Sequence, residues 1–432
     1  MLPDTIRTGL STSFRALRHR NFRLYWSGQL ISLVGTWMQS VAQGWLMHRL
    51  TDSPFMLGLL GFAQFLPVMG LSLWAGVIAD HMDRRRLLLF TQGSALLQAA
   101  LLALVVSTGV VKPWMVLGLA FVFGVINAFD LPGRQSFMVE MVGKEDLSNA
   151  IALNSAAFNS ARILGPAIAG VLLATVGEAG CFWLNAVSYI AVLYSLTRMT
   201  LPRRESAPMD WRRAIETMRE GVRYAWSVRP IRNLLLLLGA TAGLGFQYMI
   251  LLPVYARTIL HTGPGGYGLM VSAFGLGSLL SAASMMRRLD RWGLRRNLFA
   301  GLACAGVGMG VFAWSRIFPL TLAMAFVAGF GLILYVATTN TLLQLTTEDR
   351  YRGRIMSLYT LMFVGTSPIG SLVAGGLAQR FGAPVATSFS ALVLLGGAVW
   401  MSYRLRAIAA QEAARAGEPT TTPVPPVTEK LG

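Results

Sequence analysis

Charge is scarce in this sequence. Only 13% of its 432 residues are Asp, Glu, Lys or Arg, about half the share of an ordinary soluble domain. Cysteine is scarcer still. Cys181 and Cys304 both lie inside apolar runs, which excludes a disulfide framework or a thiolate metal site and leaves packing as their role. Catalytic signatures are missing: there is no Gly-x-Ser-x-Gly, no His-Glu-x-x-His and no Cys-x-x-Cys, and the four histidines (His19, His48, His81 and His261) are scattered. The lack of a phosphate loop excludes a self-contained ATP-driven pump. Neither an enzyme, a cofactor nor a bound metal is therefore expected. Residues 1–20 carry Arg7, Arg15, Arg18, His19 and Arg20 but no apolar core, so no cleavable signal peptide is expected and the first apolar run must direct insertion.

What the chain has in abundance is apolar length. Hydrophobic residues make up 54% of it, and the mean hydropathy is +0.55. Runs of about 20 apolar residues match the thickness of a bilayer core, and in lipid the backbone must satisfy itself, so these runs are helices. Spans 1–6 are expected near 22–47, 56–79, 87–108, 113–130, 150–175 and 180–199. Spans 7–12 are expected near 232–256, 267–286, 297–315, 318–340, 355–378 and 382–403. Residues 1–21 then form an N-terminal segment, 200–230 a linker and 405–432 a disordered tail rich in Thr and Pro.

The net charge of +18 is distributed by topology. Of the 37 Lys and Arg residues, 29 fall on the face that carries both termini, and five (Arg49, Lys112, Arg257, Arg316 and Arg380) fall on the other. That asymmetry predicts cytoplasmic termini in a bacterial inner membrane, and it assigns the positive charge to membrane lipid rather than nucleic acid. Within the linker, Trp211, Ile215, Met218, Val222 and Trp226 recur at helical spacing with Arg and Glu between them. This predicts an amphipathic helix on the cytoplasmic membrane face.

The sequence is duplicated. Asp80 is followed by the basic cluster Arg84, Arg85 and Arg86; Asp290, with Arg291 and Gly293, is followed by Arg295 and Arg296, at an offset of 210. Ala169-Gly170 and Gly177 in and after span 5 match Ala374-Gly375 and Gly382 in and after span 11, at an offset of 205. The fold class expected is an all-α integral membrane protein of twelve transmembrane helices in two pseudo-symmetric six-helix bundles, with a substrate path between them.

Gly76, Asp80, Arg84 and Arg85 resemble the loop signature that follows span 2 in the major facilitator superfamily, with His81 and Asp83 replacing its usual Arg and Gly. The repeat after span 8 has Met286 at the early glycine position. The entry into span 1 (residues 14–26) and the run 143–154 are similar to the branch that holds enterobactin exporters and transmembrane secretion effectors. The resemblance covers residues 15–405 and implies a secondary active transporter working by alternating access. It also implies a conformational latch in which Asp80 engages Arg84, Asp130 or the start of span 11 at Arg352 and Arg354. A carboxylate at a helix end accepts such bonds readily.

Span 5 resembles the exporter-type Gly-Pro motif at Gly165, Pro166 and Gly170, with Ala161 and Ala169 in place of glycines. This favours export over import or lipid movement. Arg162 sits mid-span, where a charge costs about 2.5 kcal/mol or more. It either binds an anionic substrate or holds helices together through carbonyls and amides. No Asp or Glu lies at its depth, so proton coupling is an expectation from the family alone. In span 1, Gln29, Ser32, Thr36, Gln39 and Gln43 form one polar face, read as cavity lining. By the resemblance, Asn127, Gln247, Tyr248, Tyr335 and Asn340 are further cavity positions, and Asn159 of span 5 is another candidate. The expected partners are a small siderophore-like or drug-like molecule, membrane lipid and protons, with the chain a monomer. A non-transporting receptor or scaffold is the rival class, and it would need neither a polar cavity nor a duplicated latch.

Overall fold

The computed structural model describes residues 14–200 and 211–417; inside its helices the side chains of Leu73, Val77, Ala79, Asp80, residues 211–215 and 217, 286–292 and 404–417 lie outside the described set. Among the described residues the chain is helical, without strands. Eleven helices are long and apolar enough to cross a membrane, from Pro54–Ser72 to Ala383–Tyr403. The expected first span is also a long helix, Arg20–Thr51, but it is not one of the eleven because its polar stripe dilutes its hydropathy.

Spans 2–6 are Pro54–His81, Arg84–Ser107, Pro113–Val142, Leu147–Thr175 and Gly177–Thr197. Their starts are coded locally. Pro54 and Pro113 occupy first-turn positions, where a missing N–H costs nothing. Asp83 accepts from the Arg86 N–H at 3.0 Å, capping span 3. The turns from span 5 to span 6 and from span 11 to span 12 pass through Gly177 and Gly382, at φ +71° and +88°. Both are left-handed, a region glycine enters without a Cβ penalty, which explains this pair of the duplication.

Three expectations change in the second part of the chain. Span 7 (Arg229–Ile259) is no continuous helix: it winds wide at Thr241–Gly245, tight at Gln247–Leu251 and wide again at Tyr255–Ile259. Gly243, Gly245 and Pro253 weaken regular winding there. Spans 8 and 9 are Gly263–Met285 and Gly293–Trp314, and the chain turns between them at the non-helical Gly293, φ +73°. Span 10 is Phe318–Thr346. Span 11 breaks into Arg352–Val364 and Ser367–Phe381, because Pro368 has no N–H to bond the Val364 carbonyl and its ring crowds that carbonyl. Span 12 continues to Gly417, past the expected boundary at 405, since Ala, Gln, Glu and Arg there are good helix formers. Residues 418–432 of the expected tail lie outside the described residues, as do 1–13 and 201–210.

The helices of 20–197 pack mainly on one another, as do those of 229–403. Two seams join the sets: span 5 against span 8, and span 2 against the second part of span 11. The end of the molecule where span 1 begins is called the near end below, and the opposite one the far end.

Candidate transport site

Arg162 lies where three elements meet. Its carbonyl abuts Gly275 of span 8, and the neighbouring Phe274 ring packs edge-on to Tyr248 of span 7, 5.7 Å between centroids. The guanidinium donates one hydrogen bond, 2.9 Å to the Asn159 amide oxygen. Its Nε is buried without a partner, and so is the hydroxyl of Tyr248, whose side chain is 1% exposed. The two groups are close enough to interact electrostatically. No ion pair to Arg162 occurs among the described residues. A half-buried cation with one neutral partner and an open, buried donor can take up an anion's charge.

Around this centre the sets approach closely toward the far end. Gly58 faces Gly375, and Gly170 faces Gly268, each pair so near that a methyl on Gly58 or Gly268 would sit 2.9 Å from the facing Cα. Ser272 donates to the Ile163 carbonyl at 3.0 Å. At the far-end surface Ser53 donates to Gln379 at 2.8 Å, and Arg257 pairs with Asp52 at 3.0 Å while also donating to the His48 carbonyl. Pro166 and Gly170 therefore belong to a seam between the sets, while Gly165 packs inside the first, its would-be methyl 2.6 Å from the Trp37 Cβ. The far-end contacts of Arg257, Asp52, Ser53 and Gln379 were not legible in the sequence, since nothing local pairs loop residues about 200 or more positions apart.

The polar face of span 1 is turned into the first set of helices, and three of its residues bond within that set. Gln29, Gln39 and Gln43 are at most 4% exposed. Gln39 donates to Gln98 of span 3 and accepts from Asn185 of span 6, Gln43 donates to the Val116 carbonyl, and Thr36 bonds the Tyr189 hydroxyl. Thr36, Gln39 and Gln43 thus tie the first set together, while the Gln29 amide and the Ser32 hydroxyl are buried without a partner. Tyr335 is likewise structural: fully buried, it accepts from Thr241 at 3.0 Å and ties span 10 to span 7. Gln247 donates to the Ala242 carbonyl and accepts from Ser371, bridging the irregular stretch of span 7 to span 11. Asn127 is half-buried in span 4. Asn340 accepts from Gln344 at 2.6 Å on an exposed stretch of span 10 near the near end.

At the near end, the described partners of the expected latch residues are as follows. The side chains of Asp80, Asp290 and Arg291 lie outside the described residues. Arg84 pairs with Glu140 of span 4 at 2.7 Å and donates to the Ser136 carbonyl. Arg85 donates to the Leu196 and Thr197 carbonyls at the end of span 6, a favourable place for a cation. Asp130 is buried against Arg134 one turn on, with Thr91 and Gln92 each donating to it at 2.7 Å. That i,i+4 pair was legible in the sequence. Arg352 pairs with Asp349, and Arg354 with Glu220 of the linker helix at 2.7 Å. Gly76 has open space around it, and Gly293 shapes the joint between spans 8 and 9.

A model of the transmembrane secretion effectors matches residues 11–431. The chain belongs to that family, a branch of the major facilitator superfamily, and is a multi-pass membrane transporter. It is 27% identical to the staphyloferrin A transporter of Staphylococcus aureus over 370 residues, 83% of this chain and 90% of that one. It is 26% identical to the multidrug efflux pump Tap of Mycolicibacterium fortuitum (81% and 87% covered) and 24% identical to the enterobactin exporter EntS of Citrobacter koseri (86% and 88% covered). Its fold is similar to the nucleoside transporter NupG, as a D323A mutant, at TM-score 0.69 and 14% identity over 92% of this chain and 99% of that one. It is also similar to a bacterial homologue of ferroportin in an inward-facing state, at TM-score 0.64 and 17% identity over 88% and 98%.

Proposed function

We propose that this transporter is a secondary active exporter of small, siderophore-like or drug-like molecules, with anionic ones favoured. Twelve spans in two six-helix bundles rock about a central site in a bacterial inner membrane, both termini cytoplasmic, as a monomer driven by protons. One observation carries the reading: two glycine contacts close the far end of the seams beside a half-buried arginine that no described carboxylate neutralises. A closed end beside a mid-membrane charge is what an alternating-access carrier needs, since its site opens to one side at a time. The names of the relatives supply the substrate class, and the exporter-type run Gly165-Pro166 supports the direction.

The test uses everted membrane vesicles with a pH-sensitive dye, challenged with a panel of siderophores and drugs. Export predicts substrate-triggered proton efflux from the vesicle lumen and substrate accumulation inside it. Accumulation without a proton response would remove the coupling, and no movement of any compound would remove the transport reading for that panel. The latch remains part of the proposal through Asp80. Asp80→Asn should lower transport while membrane insertion stays normal, and unchanged transport would remove the latch.

A further inference from the structure

The linker helix Trp211–Ser227 has three faces with different partners. One face is docked. Glu220 pairs with Arg354 at 2.7 Å, Gly221 lies against the Arg354 side chain, and Tyr224 stacks on Tyr351 with centroids 4.1 Å apart. The Tyr224 hydroxyl also accepts from the Glu348 N–H, and Ala225 is 1% exposed. The helix is thus fixed on the first turn of span 11.

A second face is apolar and uncovered. Met218, Val222 and Trp226 follow one another at four-residue steps and are 37%, 40% and 56% exposed. Beside them on the third face stand Arg219 and Arg223, exposed and with no ion pair or hydrogen bond among the described residues. At 100° per residue, the apolar stripe lies between the docked face and the arginines. A helix so divided, fixed to protein along one side, turns a Trp-containing apolar edge toward one medium and cations toward its border.

We propose that this surface binds anionic phospholipid: Met218, Val222 and Trp226 sit among the upper acyl chains, and Arg219 and Arg223 hold the headgroup phosphate. The occupant is chosen by charge complementarity. Two unpaired guanidinium groups flanking an apolar stripe suit a ligand with an apolar tail and an anionic head, and anionic lipid faces juxtamembrane basic groups on the cytoplasmic side. A protein partner would leave those arginines needing carboxylates, and the apolar stripe is narrow. Through Glu220–Arg354 and Tyr224–Tyr351, lipid held here would fix the position of the first part of span 11.

The test uses the full-length protein in nanodiscs of phosphatidylcholine with increasing phosphatidylglycerol, each lipid in turn brominated on its acyl chains. Quenching assigned to Trp226 is the difference between wild type and Trp226→Phe. The proposal predicts that this component is quenched by both lipids and is several-fold more sensitive to brominated phosphatidylglycerol at equal mole fraction. In Arg219→Gln/Arg223→Gln that preference should fall to near parity, because the basic groups that draw an anionic headgroup are gone. Equal quenching by the two lipids in wild type would overturn headgroup binding. No quenching by either would overturn the membrane contact and leave a protein or this chain's own segments as the occupant. Val222→Cys carrying an environment-sensitive dye gives the same comparison if Trp226→Phe does not fold.

Discussion

The two seams share their closest approaches and differ in charge. Gly58 and Gly268 stand 210 residues apart, Gly170 and Gly375 stand 205 apart, and they form the contacts Gly58–Gly375 and Gly170–Gly268. Each seam thus repeats the other's closest approach. Gly165 and Gly370 continue the pattern, the first packed on the Val34 carbonyl of span 1 and the second on the Gly243 carbonyl of span 7. The difference falls at the position of Arg162, whose counterpart 205 residues on is Ser367, at the break in span 11. Packing that lets helices approach has been kept in both copies. Charge stands in one copy only, where the chemistry of a cargo would be read.

Removing that likeness should have the largest consequences. Gly170→Leu and Gly375→Leu each place a branched chain where a backbone now lies, and overpacking of this kind costs about 1–3 kcal/mol. Because only the closed far end pays that strain, the balance of states should shift by roughly tenfold or more, and substrate flux in proteoliposomes should fall to a similar degree for both. Loss with one and not the other would mean the seams are not equivalent gates.

The unlike position comes next. Arg162→Gln should reduce flux of anionic substrates by about tenfold or more, the scale of a hydrogen bond to a charged group, and should affect neutral substrates less. Ser367→Ala should leave both within about twofold. Equal behaviour of wild type and Arg162→Gln toward anions would assign Arg162 to holding helices together instead.

Smaller effects follow from the polar ties on the second side. Gln247→Leu removes the bonds to Ala242 and Ser371, and an interhelical hydrogen bond in a membrane protein averages about 0.6 kcal/mol. A lowering of the detergent melting temperature by a few degrees is expected, with transport retained. Arg257→Gln should matter least. Its pair with Asp52 is substantially exposed, at 37% and 73%, and such pairs contribute about 0–1 kcal/mol. A change below about threefold in flux is expected, weaker still in high salt; a larger one would make the ion pair, rather than the glycines, the far-end closure.

Much of the architecture was legible from periodicity and composition, because a bilayer imposes length and apolarity on every span. The duplication was legible because glycine and aspartate recur at fixed offsets. The function of the span 1 stripe was not. Gln29, Gln39 and Gln43 mark a polar face, but spacing does not say whether that face meets water or the amides of spans 3 and 6. Tyr335 misled for the same reason. The irregular winding of span 7 was hidden because glycines at 243 and 245 also occur in regular membrane helices as packing residues. The placement of Arg84 on Glu140 and of Arg354 on Glu220 depends on tertiary approach, which no local pattern encodes.

The central claim is that the far end closes and opens during each cycle. Ser53 and Gln379, bonded at 2.8 Å across the seam between spans 2 and 11, are placed to test it with Ser53→Cys/Gln379→Cys, Cys181 and Cys304 being left in place. Flux of a substrate identified in the vesicle panel is measured after oxidation and again after reduction, alongside the fraction cross-linked. The account predicts that flux falls in proportion to cross-linking and returns on reduction. Full flux from fully cross-linked protein would contradict it.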